Sequence, residues 1–221
     1  MARSRALGDN RRRLEKKMSK SLAAKDEYIS VEDYLKLEEK SKIRHEYMDG
    51  EIFSMAGASR KHNLATVNIS TELNLQLREK DCEVYANDFR VKIREGHNVY
   101  PDVAVACGEI LTESNENTLI NPIIVFEVLS KSTEKRDRSE KAEDYFKLES
   151  LKDYVLVSQY RVRVEHFSKQ KNNEWSLKIY ESLDDMLDLK SIECKVLLKL
   201  IYLKLKLSPL QLVEKKKRNG K

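Results

Sequence analysis

The sequence predicts an α/β domain, a mixed β-sheet flanked by helices. Three observations carry the assignment. Residues 60–80 place Ala65, Ile69, Leu73 and Leu77 at four-residue spacing without glycine or proline, which gives a long helix with one apolar stripe. The period then changes, and 82–86, 89–94, 99–106 and 123–129 read as strands, the last nearly all apolar and therefore central in a sheet. A second helical pattern over 132–150 precedes further strands, so the two element types interleave along the chain.

Each element has a local cause. Ser30 caps a first helix in which Val31, Tyr34 and Leu35 share a face and Asp33 sits in the opening turn; it runs to about Lys42. Residues 46–53 surround Asp49-Gly50, where glycine supplies the positive φ of a tight hairpin turn. Pro101 and Pro122 stand near the starts of two strands, where a missing N–H is tolerated. In the 132–150 helix Ala142, Tyr145 and Phe146 face inward, and 154–158, 161–167 and 176–180 complete a mostly antiparallel set of strands. Residues 196–207 alternate leucine with lysine toward their end and read as a short strand followed by a turn at Pro209, the alternative being a helix on the sheet edge.

With 221 residues, 40% hydrophobic and 36% charged, the chain suits one domain over 28–213 between a basic extension, 1–27, and a basic tail, 214–221. The charge is uneven. Residues 1–20 contribute +6 and 214–221 contribute +4 to a formal +5, which leaves −5 for the body between them. The sequence pI near 8.9 therefore reflects the tails and is weak support for a nucleic-acid-binding face. No run approaches the roughly 20 apolar residues of a membrane span, and no apolar segment follows the basic N-terminus, so a cytoplasmic protein is expected. Cys82, Cys107 and Cys194 form no CxxC and are expected to be reduced thiols.

Several chemistries lose their usual support. No two of the six glycines are separated by a single residue, so there is no G-x-G-x-x-G and no G-x-S-x-G elbow, and no P-loop is present. The histidines at 45, 62, 97 and 166 form neither HExxH nor a zinc spacing with cysteine. What stands out is acid inside apolar strands: Asp102 in Tyr100-Pro101-Asp102-Val103-Ala104-Val105-Ala106, and Glu127 in Ile123-Ile124-Val125-Phe126-Glu127-Val128-Leu129. A buried carboxylate needs a cation, a metal or several hydrogen bonds. Two on neighbouring strands make a site for a hard cation such as Mg²⁺, which prefers oxygen ligands. Taken singly, either acid also fits a solvent-facing position or an ion pair, with Lys141 a partner for Glu127.

At this point the chain resembles the PD-(D/E)XK, restriction-endonuclease-like nucleases, and within them the bacterial Uma-type endonucleases. The resemblance rests on Ser30-Val31-Glu32-Asp33-Tyr34-Leu35, Arg44-His45-Glu46-Tyr47-Met48-Asp49-Gly50-Glu51-Ile52, Met55-Ala56-Gly57 with His62-Asn63, and Asn87-Asp88-Phe89-Arg90-Val91. It continues through Tyr100-Pro101-Asp102-Val103, Phe126-Glu127-Val128-Leu129-Ser130-Lys131-Ser132-Thr133, and Asp137-Arg138 through Lys141 to Tyr145, spanning roughly 28–190. It implies a restriction-endonuclease-like mixed sheet and a core in which Asp102 and Glu127 ligate Mg²⁺ or Mn²⁺, with the Val128 carbonyl an additional ligand and Glu46 a supporting acid. It further implies a DNA substrate and a homodimer, and places His62 and Asp88 on the substrate side of the site.

One position departs from the pattern. The (D/E)XK lysine would fall at Leu129, and leucine cannot polarise a water. Lys141 on the following helix is the leading replacement, ahead of Lys131 and Lys92. Two expectations follow: a metal-dependent endonuclease acting on DNA, or a nuclease-fold module that binds nucleic acid or protein without catalysis. A pocket ringed by Lys and Arg favours the first, and acids buried in salt bridges without a cleft favour the second.

Overall fold

A computed structural model describes residues 28–55 and 57–207. The N-terminal extension, residues 208–213, Pro209 among them, and the basic tail lie outside the described residues.

The chain opens with helix α1 (Val31–Lys40), capped as expected by the Ser30 hydroxyl, which accepts from the Asp33 amide. The hairpin β1 (His45–Met48) and β2 (Glu51–Ser54) turns through Asp49 and Gly50, both at positive φ. Helix α2 (Arg60–Leu77) buries Ala65, Ile69, Leu73 and Leu77, the expected stripe. Then come β3 (Cys82–Ala86), β4 (Arg90–Arg94), β5 (His97–Val99) and β6 (Val103–Cys107). The single strand expected over 99–106 is two: between them Tyr100-Pro101-Asp102 carries the chain from one sheet to another, because Pro101 has no N–H for a ladder.

Short strands β7 (Thr112–Glu113) and β8 (Thr118–Leu119) lead to β9 (Ile124–Leu129). The helix expected over 132–150 is broken into α3 (Glu134–Asp137) and α4 (Glu140–Lys147), the backbone leaving helical geometry at Ser139, φ −120° and ψ −99°. Strands β10 (Asp153–Ser158), β11 (Val164–Lys169) and β12 (Trp175–Tyr180) follow, then the hairpin β13 (Met186–Leu189) and β14 (Cys194–Leu197). The strand expected from 196 ends at Leu197 and gives way to a single helical turn, α5 (Leu198–Ile201), because Leu198 and Ile201 are buried one turn apart.

Among the described residues the strands form two six-stranded sheets, ordered β2-β1-β5-β4-β8-β7 and β12-β11-β10-β9-β6-β3, with β13-β14 separate. Strand β9 lies between parallel β10 and antiparallel β6, and all six of its residues are buried, the central place its composition predicts. One apolar cluster joins α2, β13, β14 and α5 to the face of this sheet that carries Phe126 and Val128. A second joins the opposite face, with Val125 and Leu129, to α4 and to Val91, Val99 and Leu119 of the other sheet. Cys82 and Cys107, register partners on β3 and β6, are joined as a disulfide, which overturns the expectation of three reduced thiols; Cys194 remains free and buried. Among the described residues no helix is long and apolar enough to cross a membrane.

Candidate active site

Strand alternation puts Glu127 on the same face as Val125 and Leu129, toward α4 and the second sheet. Continuing the β6–β9 register one step past Val103 and Phe126 sets Asp102 opposite Glu127. Strand β1 brings Glu46 from the other sheet, and α3 and α4 bring Asp137 and Lys141.

These groups meet at one ammonium. Lys141 Nζ donates to Glu46 Oε1 at 2.8 Å and stands 2.8 Å from Glu127 Oε1 and 3.3 Å from Asp137 Oδ1. The last two contacts are close but off the hydrogen-bonding angles, so Glu127 Oε1 and Asp137 Oδ1, both buried, have no hydrogen-bond partner among the described residues. Lys141 is only 3% exposed, unlike a solvated lysine on a helix surface. Burial alone would lower its pKa, and Glu127, Glu46 and Asp137 outweigh that and hold it well above the usual lysine value. Glu127 is pushed well up, first by burial and further by Asp137, Asp102 and Glu46, with Lys141 offsetting part. Burial also pushes Glu46 upward, but Lys141, then Arg136 and His97, bring it below the ordinary carboxylate range.

Asp102 is held separately. Its Oδ1 lies 2.5 Å from His62 Nε2 on the first turn of α2, and its Oδ2 accepts from the Val128 amide at 2.7 Å. The Val128 amide bond takes the place of a ladder bond where β6 has not yet begun. Ser59, the α2 cap, donates to Gln159 at 2.5 Å, and Gln159 donates to the Leu129 carbonyl at 2.9 Å, so the turn that carries His62 is tied to the end of β9.

Of the residues singled out in the sequence, Glu46 and Glu127 therefore both contact Lys141, Asp102 stands next to Glu127 in the strand register, and His62 is bonded to Asp102. Asp88 lies in the exposed turn between β3 and β4, beside Asn87, whose amide donates to the Asp102 carbonyl at 3.0 Å. Lys92 pairs with Glu95 and Glu113, and the Lys131 side chain is exposed. Neither contacts Glu127 among the described residues. Leu129 is buried in the apolar cluster at 2% exposure. Sequence reasoning missed Asp137 as a member of the site, and missed Arg136, which lies 3.4 Å from Glu46 and 3.9 Å above the Phe53 ring. Among the described residues no three His, Cys, Asp or Glu side chains are arranged together as metal ligands.

A family model described as "Uma2: Putative restriction endonuclease" matches residues 31–199, which includes every residue of this site. The chain belongs to the Uma2 family. Two Synechocystis sp. relatives are similar to this Uma2 chain. "Uncharacterized protein slr1290" is 36% identical over 175 residues, 79% of this chain and 91% of that protein. "Uncharacterized protein sll1609" is 34% identical over 158 residues, 71% and 89% of the two chains. The Uma2 fold is shared with a crystal structure of "a putative nuclease belonging to DUF820 from Anabaena variabilis", at a TM-score of 0.66 and 18% identity, covering 79% of this chain and 97% of that one.

Proposed function

We propose that this Uma2 protein is a metal-dependent endonuclease that hydrolyses phosphodiester bonds in DNA. The observation that supports this most is the gathering of Glu46, Glu127 and Asp137 on Lys141, with Asp102 across from Glu127. Four carboxylates against Lys141 and Arg136 leave net negative charge in a buried place, and two buried carboxylate oxygens lack hydrogen-bond partners among the described residues. An all-oxygen donor set with excess negative charge suits Mg²⁺ or Mn²⁺, which keep several waters and take one or two protein carboxylates. Asp102, Glu127 and the Val128 carbonyl would hold the ion.

When bound, the ion supplies a water made more acidic and offsets charge at the phosphorus. The rest is done by the chain. Lys141, kept an ammonium by its neighbours, would take the role of the (D/E)XK lysine. Glu46 fixes that ammonium by its hydrogen bond. His62 and the Val128 amide orient the Asp102 carboxylate. Titration calorimetry with Mg²⁺ and Mn²⁺, paired with cleavage of duplex and single-stranded DNA, tests the reading. Metal binding and cleavage that both vanish in Asp102→Ala support it. No binding, no cleavage and no effect of Asp102→Ala overturn it.

A second reading has its own observation. Lys141 already pairs with Glu46, Glu127 and Asp137 and offsets part of their charge without any ion, which is the salt-bridged arrangement of a non-catalytic binding module. Nucleic-acid binding with no cleavage at saturating Mg²⁺ or Mn²⁺ assigns the chain to that class.

A further inference from the structure

Helix α2 leaves the site in a direction that neither its buried stripe nor the carboxylate centre explains. Positions 60, 67, 71 and 78 fall within about 20° of one line on a helix, since each residue turns the chain by about 100°. They are Arg60, Val67, Thr71 and Arg78, and all four are exposed. Over this face lies an open groove of about 620 Å³ that runs from Thr66, one turn beyond His62, to Arg78. Its second wall is Ala86-Asn87, and the Asn87 amide is the group that bonds the Asp102 carbonyl. One wall therefore begins one turn beyond His62, which is bonded to the Asp102 carboxylate, and the other ends at Asn87, which is bonded to the Asp102 carbonyl.

The lining decides the occupant. Among the described residues no carboxylate lines the groove, although the body of the chain carries −5. The Thr66 and Thr71 hydroxyls donate to the His62 and Val67 carbonyls, so their protons are spent within the helix. Val67 and Leu75 offer apolar surface, 48% and 51% exposed. The cation is Arg78, whose Nε donates to the Leu75 carbonyl at 3.2 Å and which makes no ion pair among the described residues. Apolar patches for base faces, arginine for phosphate and an absence of like charge describe a site for a single nucleic-acid strand. From Thr66 to Arg78 the helix rises about 18 Å, the length of about five nucleotides at 3.4 Å per step.

We infer that the groove along α2 is a binding track for a nucleic-acid strand leaving the carboxylate site, with Arg78 as its far phosphate contact. The inference rests on the nuclease reading and specifies where the substrate runs. The test is fluorescence anisotropy of a labelled 12-nucleotide single strand on the full chain, in EDTA so that no cleavage occurs, at several salt concentrations. Arg78→Glu and the groove-filling Thr71→Trp are compared with the native chain, each checked for an unchanged melting temperature. The expected result is a loss of about tenfold in affinity for each variant, with the salt slope of Arg78→Glu lower by about one. Native-like affinity and slope in both variants overturn the track while leaving the nuclease reading intact. A native chain that neither binds strands nor cleaves them with metal present overturns both. A native dimer in sedimentation that Thr71→Trp dissociates assigns the face to a second copy and overturns the track.

Discussion

Glu38 and Tyr100, 62 residues apart, meet in the interior: the buried Glu38 carboxylate accepts from the Tyr100 hydroxyl at 3.0 Å. The same carboxylate accepts from the His45 amide and lies 3.0 Å from His45 Nδ1. It thereby ties α1 to the residue before Glu46 and to the residue two before Asp102, one on each arm of the site. Glu38→Ala strands a buried amide, an imidazole and a phenol. We expect a loss of about 3 kcal/mol or more in urea unfolding, and about 1 kcal/mol for Glu38→Gln, which keeps an acceptor oxygen in place. Equal losses in the two variants would show that packing, not hydrogen bonding, carries the contact.

Lys141 compensates three buried carboxylates, so its removal is a charge problem before it is a packing problem. Lys141→Met should cost about 3–5 kcal/mol and lower the melting temperature by about 6–20 °C. Adding Glu46→Gln to that variant should recover part of the loss, because one uncompensated charge is gone. Calorimetry on the four members of this cycle reads the coupling directly.

The stability contributed by His97, Asp144 and Glu165 should fall in two stages on acidification. Burial lowers the His97 pKa despite Asp144, so the unfolded chain takes up a proton near pH 6.5 that the folded chain resists, and stability is lost as pH falls through that value. Burial alone would raise Asp144 and Glu165, but His97, Lys147 and Arg94 hold the first below its ordinary value and Arg138 and Arg163 hold the second. Their stabilisation is complete above the unfolded carboxylate pKa, near 4, and is lost as pH drops below it toward their folded values. Urea midpoints measured from pH 8 to 3 should show both steps, and His97→Gln should remove the upper one.

The disulfide makes a chemical count. Denatured without reductant, the chain should show one reactive thiol, Cys194, and with reductant three. In the native state Cys194 is buried and its thiol is pushed up by burial, so it should react slowly with thiol reagents. Three thiols in the unreduced, denatured chain would remove the Cys82–Cys107 link.

The elements legible in the sequence were those whose signal is local. A capping serine, an Asp-Gly turn, a stripe every four residues and an apolar run interrupted by one acid each report their own surroundings. Asp137 and Glu38 were not legible, because an acid in a charged helical stretch looks the same whether it faces water or a lysine brought from another element. The break at Ser139 was hidden for a similar reason: Arg138 is drawn to Glu165 on β11, a partner 27 residues away. Lys141 was found through a family pattern and not through spacing, since Leu129 occupies the place where spacing would seek a base.

Strand β9 is walled in on both edges and covered on both faces, with Glu127 at its fourth position. Inserting or deleting one residue within it would rotate the acid through the sheet into the hydrocarbon beneath α2 and present Phe126 or Val128 to Lys141 instead. Natural variation in chain length within this family should therefore accumulate in the connections around 108–122 and 170–174 and be purged from 124–129.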